Sequence, residues 1–287
     1  MKKNTLSYLL LIFIAVSTLP FACNPEAKTE KQIGLQLYSL RDSMDINPVK
    51  TIAEVGKIGY QTVELAGYGN GTFYGMTPEE IKAEVEKNGM TIISSHCGLP
   101  VPDSIQWDTA MAWWDVCIAA HKAAGIPYIV QPFMDSVGYQ TLAGLQRYCD
   151  YFNAIGEKCN AQGIRFGYHN HSDEYTEVEG QVIYDYMLQN TDSSKVFFQI
   201  DLFWIKEGGG NAVDYFNKYP GRFVSYHVKD RLEVGASGEM DFKTLFENAD
   251  LAGMKYYIVE QEEFSTTPYE GVKESYDFLK NAEFVTK

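Results

Sequence analysis

Short apolar segments alternate with amphipathic segments along the chain from about residue 32 onward. The apolar segments are rich in Val, Ile, Phe and Tyr, which favour strands, and they are too short for most helices. They are IGLQLYSL from Ile33, YQTVELAG from Tyr60, MTIISSHCG from Met90, PYIVQPFM from Pro127, GIRFGYHNH from Gly163, VFFQIDLFW from Val196, FVSYHVKD from Phe223 and YYIVEQEEF from Tyr256. Each of these segments predicts a buried strand.

The intervening segments have the end signals of helices. NPVKTIAEVGKIG and TPEEIKAEVEKNG each begin with a capping residue followed by proline and end near a glycine. Further helices are predicted at Thr109–Ala124, Tyr139–Gln162, Gly180–Gln189, Asn211–Tyr219, Phe242–Ala252 and Pro268–Asn281. Strands and helices that alternate about every 30 residues predict a (β/α)8 TIM barrel over residues 32–287. A doubly wound sheet is the alternative, but the first loop, YSLRDSMDIN, lacks the glycine-rich turn typical of that fold.

The amino-terminal residues do not share this pattern. A positively charged start precedes an apolar stretch at Leu6–Leu19, which is shorter than the roughly 20 residues of a membrane span, and Cys23 follows. This order predicts a secretory signal at residues 1–22, lipidation of Cys23 as in bacterial lipoproteins, and a polar tether at residues 23–31. An ordinary signal peptide with a chance cysteine is the alternative. We therefore expect an exported protein on the periplasmic side, held to the membrane only by its N-terminal lipid.

Composition and charge narrow the function classes. Of the 287 residues 45% are hydrophobic, which is enough for a sizeable core. The formal net charge is −14, and it would become −16 on removal of the two lysines of the signal, so nucleic acid is a poor partner. His121 lies on a predicted helix beside alanines and receives no role. The cysteines after the signal match no zinc motif, and we expect mostly buried thiols: Cys97, Cys117, Cys149 and Cys159.

Polar side chains follow nearly every predicted strand at the point where it ends. Residues two apart share a face of a strand, and the inward face at the carboxyl ends of barrel strands builds the active site. By this rule the converging residues are Gln36, Tyr38, Glu64, His96, Gln131, His169, His171, Asp201, His227, Lys229, Glu260 and Glu262. Burying so many polar groups without partners would cost several kcal/mol apiece, by rough transfer estimates. Imidazole and carboxylate groups at one place indicate a divalent metal site.

Each of these residues also has a structural interpretation. A single histidine on a strand is more often structural than a ligand, and Asp201 or Glu260 could instead cap the helix that follows. Trp113 and Trp114 are expected to pack within a helix bundle. Trp204 is the tryptophan expected in the site, because it closely follows Asp201 and sugars stack on such rings. The coincidence of position among many residues favours the functional interpretation.

The segments GLQLYSLRD, VELAGY, YHNH and HVKD resemble the xylose isomerase-like TIM barrels, also called the sugar phosphate isomerase/epimerase family. The resemblance covers about all of residues 32–287. It implies a divalent metal with one ligand from each of the last four strands, and His169, Asp201, His227 and Glu260 stand at those positions. The family usually has glutamate at the first of them. Here His169 takes its place, and His171 keeps the neighbouring histidine.

The resemblance also implies roles in catalysis. In epimerase relatives, two metal-bound glutamates exchange a proton of the substrate. Here His169 stands in place of one of these two glutamates. Glu260 is therefore expected to be the base, with His171, Lys229 or metal-bound water as the acid. The residues expected to contact or orient substrate are Glu64, His96, Gln36, Tyr38, Gln131 and Trp204. Mixed imidazole and carboxylate ligation suits Mn²⁺, Co²⁺, Fe²⁺ or Zn²⁺ better than Mg²⁺.

The expected function is metal-dependent removal of a proton next to a carbonyl of a free sugar or keto-sugar. Export favours a non-phosphorylated substrate, because phosphorylated sugars are cytoplasmic metabolites. Members of this branch also look similar to lyases or hydratases acting on 3-keto-sugars or keto-glycosides. The sequence also allows a non-catalytic sugar-binding lipoprotein, a structural metal, or a phosphodiesterase for abasic DNA, although the acidic charge argues against the phosphodiesterase. The sequence leaves the oligomeric state open.

Overall fold

A closed barrel of eight parallel strands forms the centre of the molecule, which confirms the predicted (β/α)8 TIM barrel. The computed structural model describes residues 31–286. The strands are β1 (Ile33–Gln36), β2 (Thr62–Leu65), β3 (Thr91–His96), β4 (Tyr128–Gln131), β5 (Arg165–His169), β6 (Val196–Asp201), β7 (Phe223–Val228) and β8 (Tyr256–Val259). Each strand pairs with its neighbours in sequence, and β8 closes on β1. All eight lie within the segments predicted to be strands.

Helices cover the outside of the barrel. In the described residues they are α1 (Arg41–Ile46), α2 (Pro48–Ile58), α3 (Pro78–Lys87), α4 (Trp107–Ala124), α5 (Ser136–Gln140), α6 (Leu142–Ala161), α7 (Ile183–Asn190), α8 (Leu202–Glu207), α9 (Ala212–Lys218), α10 (Phe242–Glu247), α11 (Ala249–Ala252) and α12 (Pro268–Asn281). The single helix predicted at Tyr139–Gln162 is divided, because Thr141 is extended and its hydroxyl accepts a hydrogen bond from Gly144 N to begin α6. The helix predicted at Phe242–Ala252 is divided at Asn248.

The interior of the barrel changes from apolar to polar towards the carboxyl ends of the strands. Strand register places Gln36 beside Glu64 and Glu64 beside Ser94. On the other side of the barrel it places Gln199 beside Ser225. All five side chains are buried. This polar layer lies directly under the ends of the strands, where the predicted site residues are found, so it can hold their orientation by hydrogen bonds.

The chain enters the barrel at the opposite end. Lys31 precedes β1, and its ammonium group donates hydrogen bonds to the carbonyl oxygens of Leu279, Lys280 and Ala282 at 2.9, 2.8 and 2.6 Å. These carbonyls lie at the C-terminal end of α12, where a cation is favourable. The predicted signal, Cys23 and nearly all of the tether lie outside the described residues. Within residues 31–286 no helix has both the length and the apolar character needed to cross a membrane.

Candidate metal centre

Four potential ligand side chains meet at the carboxyl ends of β5 to β8. His169 and Asp201 end β5 and β6, His227 lies one residue before the end of β7, and Glu260 follows β8. One donor atom from each lies within 4.8 Å of the donors of the other three, and all four residues are buried. The structure thus brings together the four residues that the sequence predicts as ligands.

Asp201 divides its two carboxylate oxygens between two environments. Oδ1 accepts hydrogen bonds from Phe203 N at 2.9 Å and Trp204 N at 2.7 Å, so Asp201 does cap the following helix, α8. Its backbone N–H donates to Asn170 Oδ1 at 3.1 Å, which ties β6 to the end of β5. Oδ2 is buried and has no hydrogen-bond partner, and burial raises the pKa of this carboxyl to about 7. A cation beside Oδ2 would satisfy an oxygen that is otherwise costly to bury.

His227 lies between two carboxylates. Its Nε2 is 2.7 Å from Glu64 Oε1, and its Nδ1 is 3.3 Å from Glu260 Oε2. Burial alone would lower the pKa of His227, but the charges of Glu64 and Glu260 outweigh it and raise the pKa to about 10. The imidazole is therefore protonated when no metal is bound. Since Nε2 is committed to Glu64, Nδ1 is the nitrogen that can face a cation, as in carboxylate–histidine–metal arrangements.

Glu64 is fully buried beneath the ligands, and protein side chains engage both of its oxygens. Oε1 is 2.7 Å from Gln36 Nε2 and 3.0 Å from His96 Nε2, and Oε2 accepts hydrogen bonds from Ser94 and from Gln199. Burial would raise the pKa of Glu64, but the neighbouring histidine charges hold it well below its usual range. The sequence suggested that Glu64 and Gln36 contact the substrate. Both side chains are fully buried, and Glu64, with its partner Gln36, positions the histidine rings.

Lys229 is held by two carboxylates at the same edge of the site. Its ammonium group donates to Glu260 Oε2 at 3.3 Å and to Glu262 Oε2 at 2.6 Å, and it lies 5.0 Å from the centroid of the Trp204 ring. Burial would lower the pKa of Lys229, but Glu260 and the other nearby carboxylates raise it. The Lys229 ammonium group is thus fixed between the two carboxylates, and its role as an acid stays a prediction.

Glu260 lies beside two cationic groups, Lys229 and His227. Burial would raise the pKa of its carboxyl, but the charges of Lys229 and His227 lower it well below its usual range. His171 differs, because burial lowers its pKa and leaves the imidazole neutral. A neutral imidazole can accept a proton near pH 7.

The position of His171 depends on a residue that carried no signal in the sequence. That residue is Glu174. The backbone N–H of His171 donates to Glu174 Oε2 at 2.8 Å, and Glu174 also accepts hydrogen bonds from the hydroxyls of Tyr139 and Tyr168. Glu174 is fully buried. It therefore anchors the loop after β5 from within the core. Glu174 lies in a short turn outside any periodic pattern, so this role could not be predicted from the sequence.

A cavity of about 390 Å³ opens beside the ligands. Several predicted site residues lie on its wall: Tyr38, His96, His169, His171, Glu260 and Glu262. Tyr68, Trp113 and Phe133 also line it, and sequence reasoning missed all three as site residues. Trp114 is buried in helix packing as expected, whereas Trp113 faces the cavity.

Two remaining predicted contacts lie beside the cavity wall. Gln131 is buried, and its amide donates hydrogen bonds to Leu99 O and Phe133 O at 3.0 and 2.9 Å. It therefore positions loops instead of presenting that amide to a sugar. Trp204 is half-buried, and its ring centroid lies 6.0 Å from that of His171.

Residues 52–282 match the family described as xylose isomerase-like TIM barrel. The chain belongs to this family. A sugar phosphate isomerase/epimerase from Parabacteroides distasonis ATCC 8503 is 34% identical, with a TM-score of 0.83, and the match covers 89% of this chain and 99% of that one. A second sugar phosphate isomerase/epimerase from the same organism is 30% identical, covers 91% and 97% of the two chains, and also has a TM-score of 0.83.

An inosose dehydratase from Geobacillus thermodenitrificans is 25% identical over 138 residues. That match spans 40% of this chain and 46% of the dehydratase. The chain therefore aligns with less than half the length of this relative.

Proposed function

We propose that the protein is a divalent-metal-dependent enzyme that removes a proton next to a carbonyl of a free sugar or keto-sugar. The observation that carries the proposal is the meeting of His169, Asp201, His227 and Glu260 beside a cavity, with Asp201 Oδ2 buried and unpartnered. Two imidazoles and two carboxylates suit Mn²⁺, Co²⁺, Fe²⁺ or Zn²⁺. When bound, such a cation would polarise a substrate carbonyl as a Lewis acid and make the adjacent C–H more acidic.

Two groups on the cavity wall can then move the proton. Glu260 is a carboxylate beside the ligand cluster, and His171 is a neutral imidazole whose loop Glu174 anchors. We therefore assign proton removal and return to this pair. Lys229 holds the Glu260 carboxylate in place.

The cavity wall favours a sugar without a phosphate group. Among the residues that line it, as far as the described chain shows, none is Lys or Arg, whereas Glu260 and Glu262 are both present. A phosphate there would meet two carboxylates and, apart from a bound metal ion, no cation on the wall to balance it. Trp113, Tyr68 and Tyr38 offer flat apolar faces suited to sugar rings. The predicted export of the chain agrees with a substrate found outside the cytoplasm.

A lyase or hydratase acting on 3-keto-sugars or keto-glycosides is the second candidate. His169 at a position usually held by glutamate favours it, because the two-carboxylate proton exchange of an epimerase is then missing. The similarity to a dehydratase also supports it. Both candidates begin with the same proton removal, so one assay tests that shared step and product analysis separates them.

The experiment follows incorporation of solvent deuterium into free aldoses, free ketoses and 3-keto-glycosides by NMR, with Mn²⁺ present. Exchange at a carbon next to a carbonyl is the expected result. Asp201→Asn should lower the exchange rate at least 100-fold, as loss of transition-state charge stabilisation typically does. Asp241→Asn is the matched control, since Asp241 is exposed, caps α10 and is not one of the four candidate ligands. Sugar binding without exchange, unchanged in Asp201→Asn, would instead indicate the non-catalytic sugar-binding protein.

A further inference from the structure

A second group of chemically active side chains lies outside the metal centre, between β3 and α4. Cys97 Sγ and Cys117 Sγ are 3.5 Å apart. The His121 ring contacts both sulfurs, with Nδ1 3.5 Å from Cys117 Sγ and Nε2 3.9 Å from Cys97 Sγ. The expectation of buried thiols is confirmed for all four cysteines of the described chain. This pair, however, is already in van der Waals contact.

The local backbone holds the two sulfurs together. Cys97 follows β3, and its N–H donates to Val130 O of β4 at 3.0 Å. Cys117 lies on the buried face of α4, and His121 lies one turn further along the same helix. The His121 Nδ1 is 2.7 Å from Cys117 O, so this nitrogen carries a hydrogen, and Nε2 faces Cys97. Both sulfurs therefore lie on regular backbone with a base between them.

The cavity gives access to only one of the two thiols. Cys97 lines the cavity wall and is 9% exposed, whereas Cys117 is fully buried behind it. The thiolate is the reactive form of cysteine, and His121 Nε2 can take the proton of Cys97. An oxidant that enters the cavity thus meets Cys97 first, and Cys117 is in place to resolve the product.

We propose that Cys97 and Cys117 form a reversible intramolecular disulfide, with a small-molecule disulfide such as oxidised glutathione as the oxidant. The Cys97 thiolate attacks one glutathione sulfur, a mixed disulfide forms, and one glutathione leaves as its thiol. The Cys117 sulfur then attacks the Cys97 sulfur and displaces the second glutathione. Two protein S–H bonds are lost and one S–S bond forms. Glutathione is reduced by two electrons, and both protons end on the two glutathione thiols.

The geometry favours a disulfide over a second metal site. The described residues supply three donors to this group, whereas a closed structural zinc site has four. The sulfurs need to approach by roughly 1.5 Å to reach the bond length of about 2.05 Å. The new bond would tie the cavity wall next to His96 to α4. This inference is independent of the metal centre and of the function proposed for it.

The test uses the full-length chain in buffers with graded ratios of oxidised to reduced glutathione. Free thiols are then trapped with iodoacetamide under denaturing conditions, and an unreduced digest is analysed by mass spectrometry. We expect a peptide pair joined through Cys97 and Cys117 and a loss of two alkylated thiols per chain. Cys149 and Cys159 are buried internal controls and should remain alkylated. Absence of the joined pair at every ratio would overturn the proposal.

Two variants and one metal probe sharpen the result. Cys117→Ser should stop at a glutathione adduct on Cys97, whereas Cys97→Ser should leave Cys117 unmodified because Cys117 is buried. An adduct on Cys117 in the second variant would overturn the order of attack. Titration with Cd²⁺ tests the rival site: a thiolate-to-metal absorbance band that needs both cysteines and is undiminished after incubation with excess oxidised glutathione would overturn the disulfide.

Discussion

The carboxylate of Glu64 offers the sharpest test of how the metal centre is built. Replacing it in Glu64→Gln keeps the size of the side chain and removes its negative charge. The hydrogen-bond donors of Gln36, Ser94 and Gln199 and the protonated ring of His227 then face a neutral amide in place of a carboxylate. The variant therefore leaves a buried imidazolium without one of its two counter-charges.

The expected loss of stability is large because the pair is completely buried. Breaking a buried ion pair from one side typically costs about 3–5 kcal/mol. For a chain of this size that corresponds to roughly 10 °C in melting temperature, at about 2–4 °C per kcal/mol. Metal affinity should fall about 10- to 100-fold, because Glu64 fixes the ring of the ligand His227.

The pH dependence of the free energy of unfolding tests whether the lost counter-charge of His227 causes the loss of stability. Although burial alone would lower it, the pKa of His227 in the folded chain is raised to about 10, above its ordinary value of 6.5. The stabilisation from its proton is fully present below pH 6.5 and is lost as the pH rises through 10. The difference between parent and Glu64→Gln should therefore be greatest near pH 6.5 and shrink towards pH 10.

Chemical denaturation of the metal-free chain, followed by Mn²⁺ titration, measures both effects. Glu54→Gln is the matched control, since Glu54 pairs with Lys57 at the surface and should contribute less than about 1 kcal/mol. If Glu64→Gln matches the parent in unfolding midpoint and in metal affinity, the role assigned to Glu64 is wrong.

Three further predictions address the ligands, the cavity and the chain entry. Between pH 7 and 9 the affinity for Mn²⁺ should rise about 10-fold per pH unit in calorimetric titrations, because binding must displace the proton of His227; a flat profile would contradict this. Trp113→Ala should raise KM for the sugar about 10-fold, which corresponds to about 1.4 kcal/mol, and should leave kcat nearly unchanged. Trp107 lies outside the cavity wall, so Trp107→Ala is the control and should alter neither constant. Lys31→Ala should lower the free energy of unfolding in urea by about 1 kcal/mol, and an unchanged midpoint would refute its contact with the end of α12.

The fold could be predicted from the sequence because it depends on periodic features, whereas the choice of the four candidate ligands depended on the resemblance to the xylose isomerase-like barrels. Strands of similar length alternate with helices, so the closure of the barrel follows from general rules. His169, Asp201, His227 and Glu260 converge because each stands at the end of its strand. Parallel strands that close into a barrel must bring such positions to the same edge.

The depth of each side chain could not be predicted in the same way. Alternation places Glu64 on the inward face, but it does not say how far below the barrel edge that residue lies. Strand stagger decides this, and it sets Glu64 level with Gln36 and Ser94. Tyr68 and Trp113 were missed for a different reason. They reach the cavity from a two-residue strand outside the barrel and from a helix, where no pattern of neighbouring residues indicates an active-site position.

The two oxygens of Asp201 determine how readily a cation could be exchanged at this site. Because Oδ1 is occupied by two backbone N–H groups, the carboxylate cannot chelate through both oxygens. An ion with octahedral preference would meet one donor from each of four residues and keep vacant positions for solvent and substrate. The cap also fixes the carboxylate whether or not an ion is bound. Exchange of one bound cation for another would therefore need no change in this cap.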